Sequence, residues 1–256
     1  MSEGNAAKFQ GNPISASVNT VSFRNAIPKR NSNAKYNTYH LTITKGRGLG
    51  QVVEVLSSKG NTYTLKDDWK VIPDSTSAIT VNSGTHYLIV YDNDFTQKTY
   101  IPKAHYGIAS AAVEPFGGCS HWITDKNKFI GFKIALYNFP TKHEIGYDPN
   151  FWMEWNNNYI DGQGGGQGYI SHLVKDGFEP GPKILGDLIR RNTVINVQTA
   201  YGTESSRANS GYDKPVMEYV VAEHNIMKIP MRNINSPGMP AISPELVSKQ
   251  VLYKNR

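Results

Sequence analysis

The sequence predicts an all-β protein, a right-handed parallel β-helix, and three observations predict it. Alternating large apolar residues, an asparagine and a further apolar residue two places on recur five times. The copies centre on Asn93, Asn127, Asn158, Asn192 and Asn225, about 33 residues apart, a period typical of stacked repeats. The residues flanking each asparagine alternate with period two, which is strand and not helix. Polar turns separate the copies, so one short strand per repeat cannot bury its own apolar face and must stack on its neighbour's.

Alignment on the asparagines assigns the inward positions. They are Leu88, Val90 and Phe95; Trp122, Thr124 and Phe129; Met153, Trp155 and Ile160; Asp187, Ile189 and Val194; Val220, Ala222 and Met227. If the asparagines share one bend, their amides can form a ladder of hydrogen bonds along the stack, and asparagine also tolerates the left-handed backbone of a bend.

At 256 residues the chain accommodates one solenoid domain. Its order reads as a polar arm or cap over residues 1–37, the β-helix over 38–230 and a strap or short helix over 231–256. The short helix falls on SPELVSKQVLY, with Ser243 as N-cap and Pro244 at the first helical position. Within the solenoid, VVEVLSSKGNTYTL reads as two alternating strands around a turn, a hairpin elaboration at residues 46–72. The glycines of GRGLGQ, at Gly46, Gly48 and Gly50, match neither a dinucleotide fingerprint nor a Walker loop. They read instead as places where the strand passes close over a packed neighbour.

The formal net charge of +6 favours a polyanionic partner, and an acidic polysaccharide fits it. Nucleic acid does not, since the basic residues are scattered and no nucleic-acid motif or basic helix is present. Cys119 is the only cysteine, which rules out internal disulfides and cysteine zinc sites and reads as a small buried apolar residue. MSEGNAAKFQGN carries no basic segment followed by an apolar core, and no apolar run is long enough to cross a bilayer. The expectation is a soluble chain without membrane insertion, extracellular or on a virion or cell surface.

GRGLGQVVEVLSSKGNTYTLKDDWKVIPDSTS resembles a segment of right-handed β-helix proteins, both bacterial polysaccharide-acting ones and phage tail-spike modules. DPNFWMEWNNNYIDG and GDLIRRNTVINV are similar to coils of the bacterial group. The resemblance covers roughly residues 40 to 230. It implies the fold, and it implies a polysaccharide partner, with lyases, hydrolases and proteins without chemistry all in such groups. It carries over no catalytic motif.

The longest insertions between repeats gather aromatic residues, carboxylates and cations, as a sugar groove requires. Tyr147, Trp152 and Tyr169, with Arg190 and Arg191, are the candidate substrate-binding residues; a ring stacks on a pyranose face and a cation meets a uronate. For the three aromatic residues, packing between coils is the alternative. A hydrolase needs a carboxylate pair, and Glu154 and Asp161 are the candidates, both one place from an inward residue and so outward; Glu144 and Asp148 are others. A lyase needs a base and a cation or Ca²⁺ to neutralise the uronate, for which His121, His143, His172, Lys175, Arg190 and Arg191 are candidates. No metal-ligand motif supports Ca²⁺. Two function classes follow. One is a polysaccharide lyase or glycoside hydrolase, expected to be a monomer. The other is a non-enzymatic structural or adhesive spike module, expected to be a homotrimer.

Overall fold

The computed structural model describes residues 9–27, 39–97, 111–143, 146–173, 181–205, 217–228, 247–248 and 251–253, and all regular structure among them is strand. The chain opens with seven strands: β1 (Phe9–Gly11), β2 (Ser15–Ala16), β3 (Thr20–Ser22), β4 (His40–Lys45), β5 (Val52–Lys59), β6 (Thr62–Leu65) and β7 (Ala78–Asn82). They form one antiparallel sheet in the order β1-β7-β4-β5-β6-β3-β2. Alternation in HLTIT and NTYTL gives this sheet its own core of Val21, Phe23, Leu41, Ile43, Tyr63, Trp69, Ile79 and Val81.

Two expectations change here. Residues 9–27, read from sequence as a polar arm or cap with one strand or incomplete coil in SASVNTVSF, supply β1, which pairs with β7, and β3, which pairs with β6. Val21 and Phe23 are fully buried, and burying two such side chains stabilises by about 3–5 kcal/mol, enough to order short polar strands around them. The β5–β6 hairpin is the middle of this antiparallel unit and not an elaboration on a coil.

The solenoid follows. Its strands are β8 (Ile89–Tyr91), β9 (Asp94–Thr96), β10 (Ala111–Val113), β11 (Ser120–Asp125), β12 (Lys128–Ile130), β13 (Ile134–Asn138), β14 (Thr141–His143), β15 (Gly146–Asp148), β16 (Asn150–Asn156) and β17 (Tyr159–Leu173). Then come β18 (Ile184–Leu185), β19 (Leu188–Arg190), β20 (Thr193–Ser205), β21 (Met217–Glu218), β22 (Val221–Glu223), β23 (Ile226–Lys228), β24 (Val247–Ser248) and β25 (Val251–Tyr253). One parallel face stacks β8, β11, β16, β19, β22 and β25. A second stacks β9, β12, β17, β20 and β23, and a third stacks β10, β13 and the later parts of β17 and β20. Among the described residues of the solenoid only β14 and β15 break the rule, pairing antiparallel as a hairpin.

The inward column is as the repeats predict. Trp122, Phe129, Met153, Trp155, Ile160, Ile189, Val194, Val220 and Ala222 form the solenoid core, and Leu88, Val90, Phe95 and Met227 pack against it near the ends of the stack. The asparagine ladder is continuous: Oδ1 of Asn127, Asn158, Asn192 and Asn225 each accepts the backbone N–H and the Nδ2 of the ladder asparagine one coil earlier, at 2.9–3.2 Å. The left-handed residue is the one before each asparagine: Asp92, Lys126, Asn157, Arg191 and His224 have φ of 52–57°. A second left-handed bend stands five residues earlier, at Tyr87, His121, Trp152, Gly186 and Tyr219. The ladder asparagine turns its side chain inward, so its neighbour makes the bend; a non-glycine residue there costs about 1–2 kcal/mol, which the ladder bonds offset.

Near the C-terminus, β24 and β25 run parallel to β21 and β22 and continue the stack. They lie where SPELVSKQVLY was expected to be a short helix. An open sheet edge offers unpaired N–H and C=O groups, and a strand satisfies them where an isolated turn of helix does not.

Candidate functional site

Since inward and outward residues alternate, the register fixes what the outer surface carries. The outward column two places before the ladder holds Tyr91, Asp125, Asn156, Arg190 and Glu223. The next holds Ile89, Ile123, Glu154, Leu188 and Val221, so Glu154 is a carboxylate set in an apolar column.

Around it the polar groups close into one cluster. Asn156 Nδ2 donates to Glu154 Oε2 at 3.0 Å, the Arg190 guanidinium lies 3.7 Å from the same oxygen, and Arg190 Nε donates to Asn156 Oδ1 at 3.3 Å. Beside them, Asn157 Nδ2 donates to Asp125 Oδ1 at 2.7 Å. Lys126 Nζ donates to the Tyr91 hydroxyl at 3.0 Å and lies 5.2 Å from its ring centroid; that bond holds the ammonium pKa above its ordinary value. The Glu154 and Arg190 side chains are 39% and 32% exposed, and a pair this wet adds little to stability. It presents an acceptor and a guanidinium fork to solvent above the buried Asn156 amide, a set suited to hydroxyl and carboxylate groups of a sugar.

The structure therefore brings Glu154 and Arg190 together from adjacent coils. Arg191 stands at the exposed bend next to Arg190, with φ 54°. Asp161 lies elsewhere, on β17 past the Asn157–Asn158 bend, accepting from the Gln163 backbone at 2.9 Å and Asn196 Nδ2 at 3.1 Å. Glu154 and Asp161 thus face outward from different sheets, each engaged with its own partners. His143, Tyr147 and His172 lie in β14, β15 and β17, their side chains outside the described part of the structure. Lys175 and Glu144 also fall outside the described residues. Asp148 is buried against Thr141 and not on the surface.

Two aromatic candidates make contacts within the chain, Tyr169 buried and Trp152 with 36% of its surface exposed. Tyr169 is 1% exposed, and its hydroxyl donates to the buried Asp187 carboxylate, so it is a core residue and no groove wall. Asp187 also accepts from Asn138 Nδ2 at 2.8 Å, and burial pushes its pKa up to about 7 against the opposing pull of these hydrogen bonds. Trp152 donates from Nε1 to the Gly50 carbonyl at 2.7 Å and joins the solenoid to the antiparallel unit. A Cβ on Gly50 would come within 2.8 Å of the indole and one on Gly186 within 2.1 Å. Both glycines have positive φ, and the close approach read into GRGLGQ is made onto this ring.

Sequence reasoning missed Asn156, Asn157, Asp125, Lys126 and Tyr91. Their signal was present in the repeat alignment, which assigns outward columns as firmly as inward ones.

No protein-family model matches the chain, and no curated protein matches it. Among solved structures it is similar to the tailspike protein gp49 from Pseudomonas phage LKA1, at 11% identity over 98% of this chain and 61% of that one, TM-score 0.36. It is similar to the Pseudomonas phage phi297 tailspike gp61, at 11% identity over 97% and 55%, TM-score 0.35. A third is the Gp54 tailspike of Acinetobacter baumannii bacteriophage AP22 in complex with A. baumannii capsular saccharide, at 7% identity over 99% and 56%, TM-score 0.31. The chain spans between 55% and 61% of the length of these structures.

Proposed function

We propose that this chain is a polysaccharide-binding module, a right-handed β-helix of the spike type displayed on a virion or cell surface, which holds an acidic glycan along its outer face at Glu154 and Arg190, with Asn156 positioning both. The observation that supports it is the partly exposed Glu154–Arg190 pair, assembled from two coils over the buried Asn156 amide in a position where it does little for stability. Donors and an acceptor at fixed spacing on a rigid stack are preorganised for a repeating ligand, which lowers the cost of binding a flexible chain. The right-handed sense follows the general preference of crossovers between parallel strands, and a homotrimer is the assembly proposed for a spike.

Binding is favoured over cleavage by one feature. Hydrolysis requires two carboxylates facing one glycosidic bond, and Glu154 and Asp161 project from different sheets. The test is calorimetry against neutral and uronate-containing polysaccharides, with reducing ends and the ultraviolet absorbance of unsaturated uronate followed on the same samples, and mass from light scattering. Saturable binding of an acidic glycan without product, by a trimer, is expected. No binding to any acidic glycan overturns the proposal, and product formation replaces binding with catalysis.

A further inference from the structure

Three of the seven histidines meet where the antiparallel unit abuts the first coils. His40 opens β4, His86 lies in the link from β7 to β8 and bridges to Ser120, and His121 makes the bend of the second coil with φ 56°. The His40 and His86 ring centroids are 3.5 Å apart. Ser120 Oγ lies 2.6 Å from His86 Nδ1 and 2.9 Å from His121 Nδ1, and the Tyr87 ring stacks on His121 at 4.9 Å.

This arrangement suits neutral imidazoles. A hydroxyl carries one proton and two lone pairs, so Ser120 can donate to at most one of the two rings, and at least one of His86 and His121 carries its proton on Nδ1. His86 Nε2 is buried without a hydrogen-bond partner. A proton added to His86 therefore puts a cation in a site with no acceptor at that nitrogen, directly against a second imidazole. The surrounding charges do not compensate. Glu54, across the strand pair from His40, is ion-paired with Lys66 at 2.7 Å. Asn82, the opposite neighbour of His40, is uncharged. Below Ser120, burial pushes the Cys119 thiol up to about 12, and the Asp148 charge that acts on it is held by Thr141.

We infer that His40, His86, His121 and Ser120 form a latch that joins the antiparallel unit to the solenoid while its imidazoles are neutral and releases it on acidification. Burial, then the neighbouring His40 and His121, hold the His86 pKa well below the usual histidine value, and burial lowers that of His121. The unfolded junction thus binds more protons than the folded one between the lowered folded values and about pH 6.5, so junction stability is present above about pH 6.5 and is lost as pH falls from there through the folded values.

The test is hydrogen exchange on the full chain, expressed as protection factors at about pH 7.5 and about pH 5. Protection of residues 39–45, 82–88 and 118–123 is expected to fall at least about tenfold in acid, while residues 151–161 and 188–195 keep theirs. The His86→Gln variant, which keeps a hydrogen-bonding group and takes up no proton, is expected to abolish the fall. Equal junction protection at both pH values, loss spread over the whole solenoid, or an unchanged fall in His86→Gln overturns the latch. Should that variant fail to fold, NMR titration of the imidazoles in the native chain decides. Protonation of His86 coincident with junction opening supports the latch, and opening at a different pH overturns it.

Discussion

Oδ1 of Asn158 accepts both the backbone N–H and the Nδ2 of Asn127, at 3.0 and 3.2 Å, from the coil before it in the stack. Asn158 in turn donates both of its own to Asn192 and reaches back to the Thr124 carbonyl at 2.8 Å. A middle rung therefore serves three coils. Asn158→Ala leaves the buried backbone N–H of Asn127 without its acceptor, at about 1–3 kcal/mol, and removes the bonds to Asn192 and to the Thr124 carbonyl, while Asn127 Nδ2 keeps the Val90 and Asp125 carbonyls. Asn93, at the open end of the ladder, only donates to the next asparagine, and its Nδ2 bond to Tyr91 is exposed. Denaturant unfolding should show Asn158→Ala to be clearly the more destabilising; equal losses would mean that the ladder does not hold the coils together.

Arg190→Ala is expected to weaken binding of an acidic glycan about tenfold, the loss of one charge-assisted contact, and binding of a neutral one much less. Glu154→Gln keeps an acceptor for Asn156 and should change unfolding free energy by less than about 1 kcal/mol, because the ion pair it removes is exposed. Calorimetry and thermal melts on both variants check this. Unaltered affinity in both would remove the cluster from the binding face.

Asp187 gives the solenoid a pH dependence of its own. Its folded pKa is raised to about 7 from 3.8, so between these values the folded chain holds a proton that the unfolded chain has released. Stability contributed by that proton is present at low pH and is lost as pH rises towards 7, at no more than about 1.4 kcal/mol per pH unit. Asp187→Asn should flatten this slope and leave the acid loss at the histidine junction in place. A slope that survives the substitution places its origin elsewhere.

Trp152→Phe removes the hydrogen bond to the Gly50 carbonyl but keeps a ring over Gly186. A loss of about 0.5–1.5 kcal/mol is expected, with hydrogen exchange rising at residues 46–51. Increased exchange confined to the solenoid would contradict the role of Trp152 as a contact between the two units.

By itself the sequence determined the solenoid. Period, strand alternation and the five asparagines set which residues face inward and which bond along the stack, because in a stack each coil's neighbours are its own repeats. It also held the outward columns that carry Glu154 and Arg190. Tertiary structure alone decided contacts between parts that share no repeat. Trp152 reaches Gly50 across 102 positions of chain, and no period relates them. Val21 and Phe23 order a polar N-terminal segment by packing onto strands far along the sequence. Asp187 sits at an inward position that the alignment marked, but only its meeting with Tyr169 and Asn138 shows how a carboxyl is kept there. Glu154 and Asp161, both outward by alternation, part company at the Asn157 bend, because alternation sets the face of a strand and not the direction in which that strand next turns.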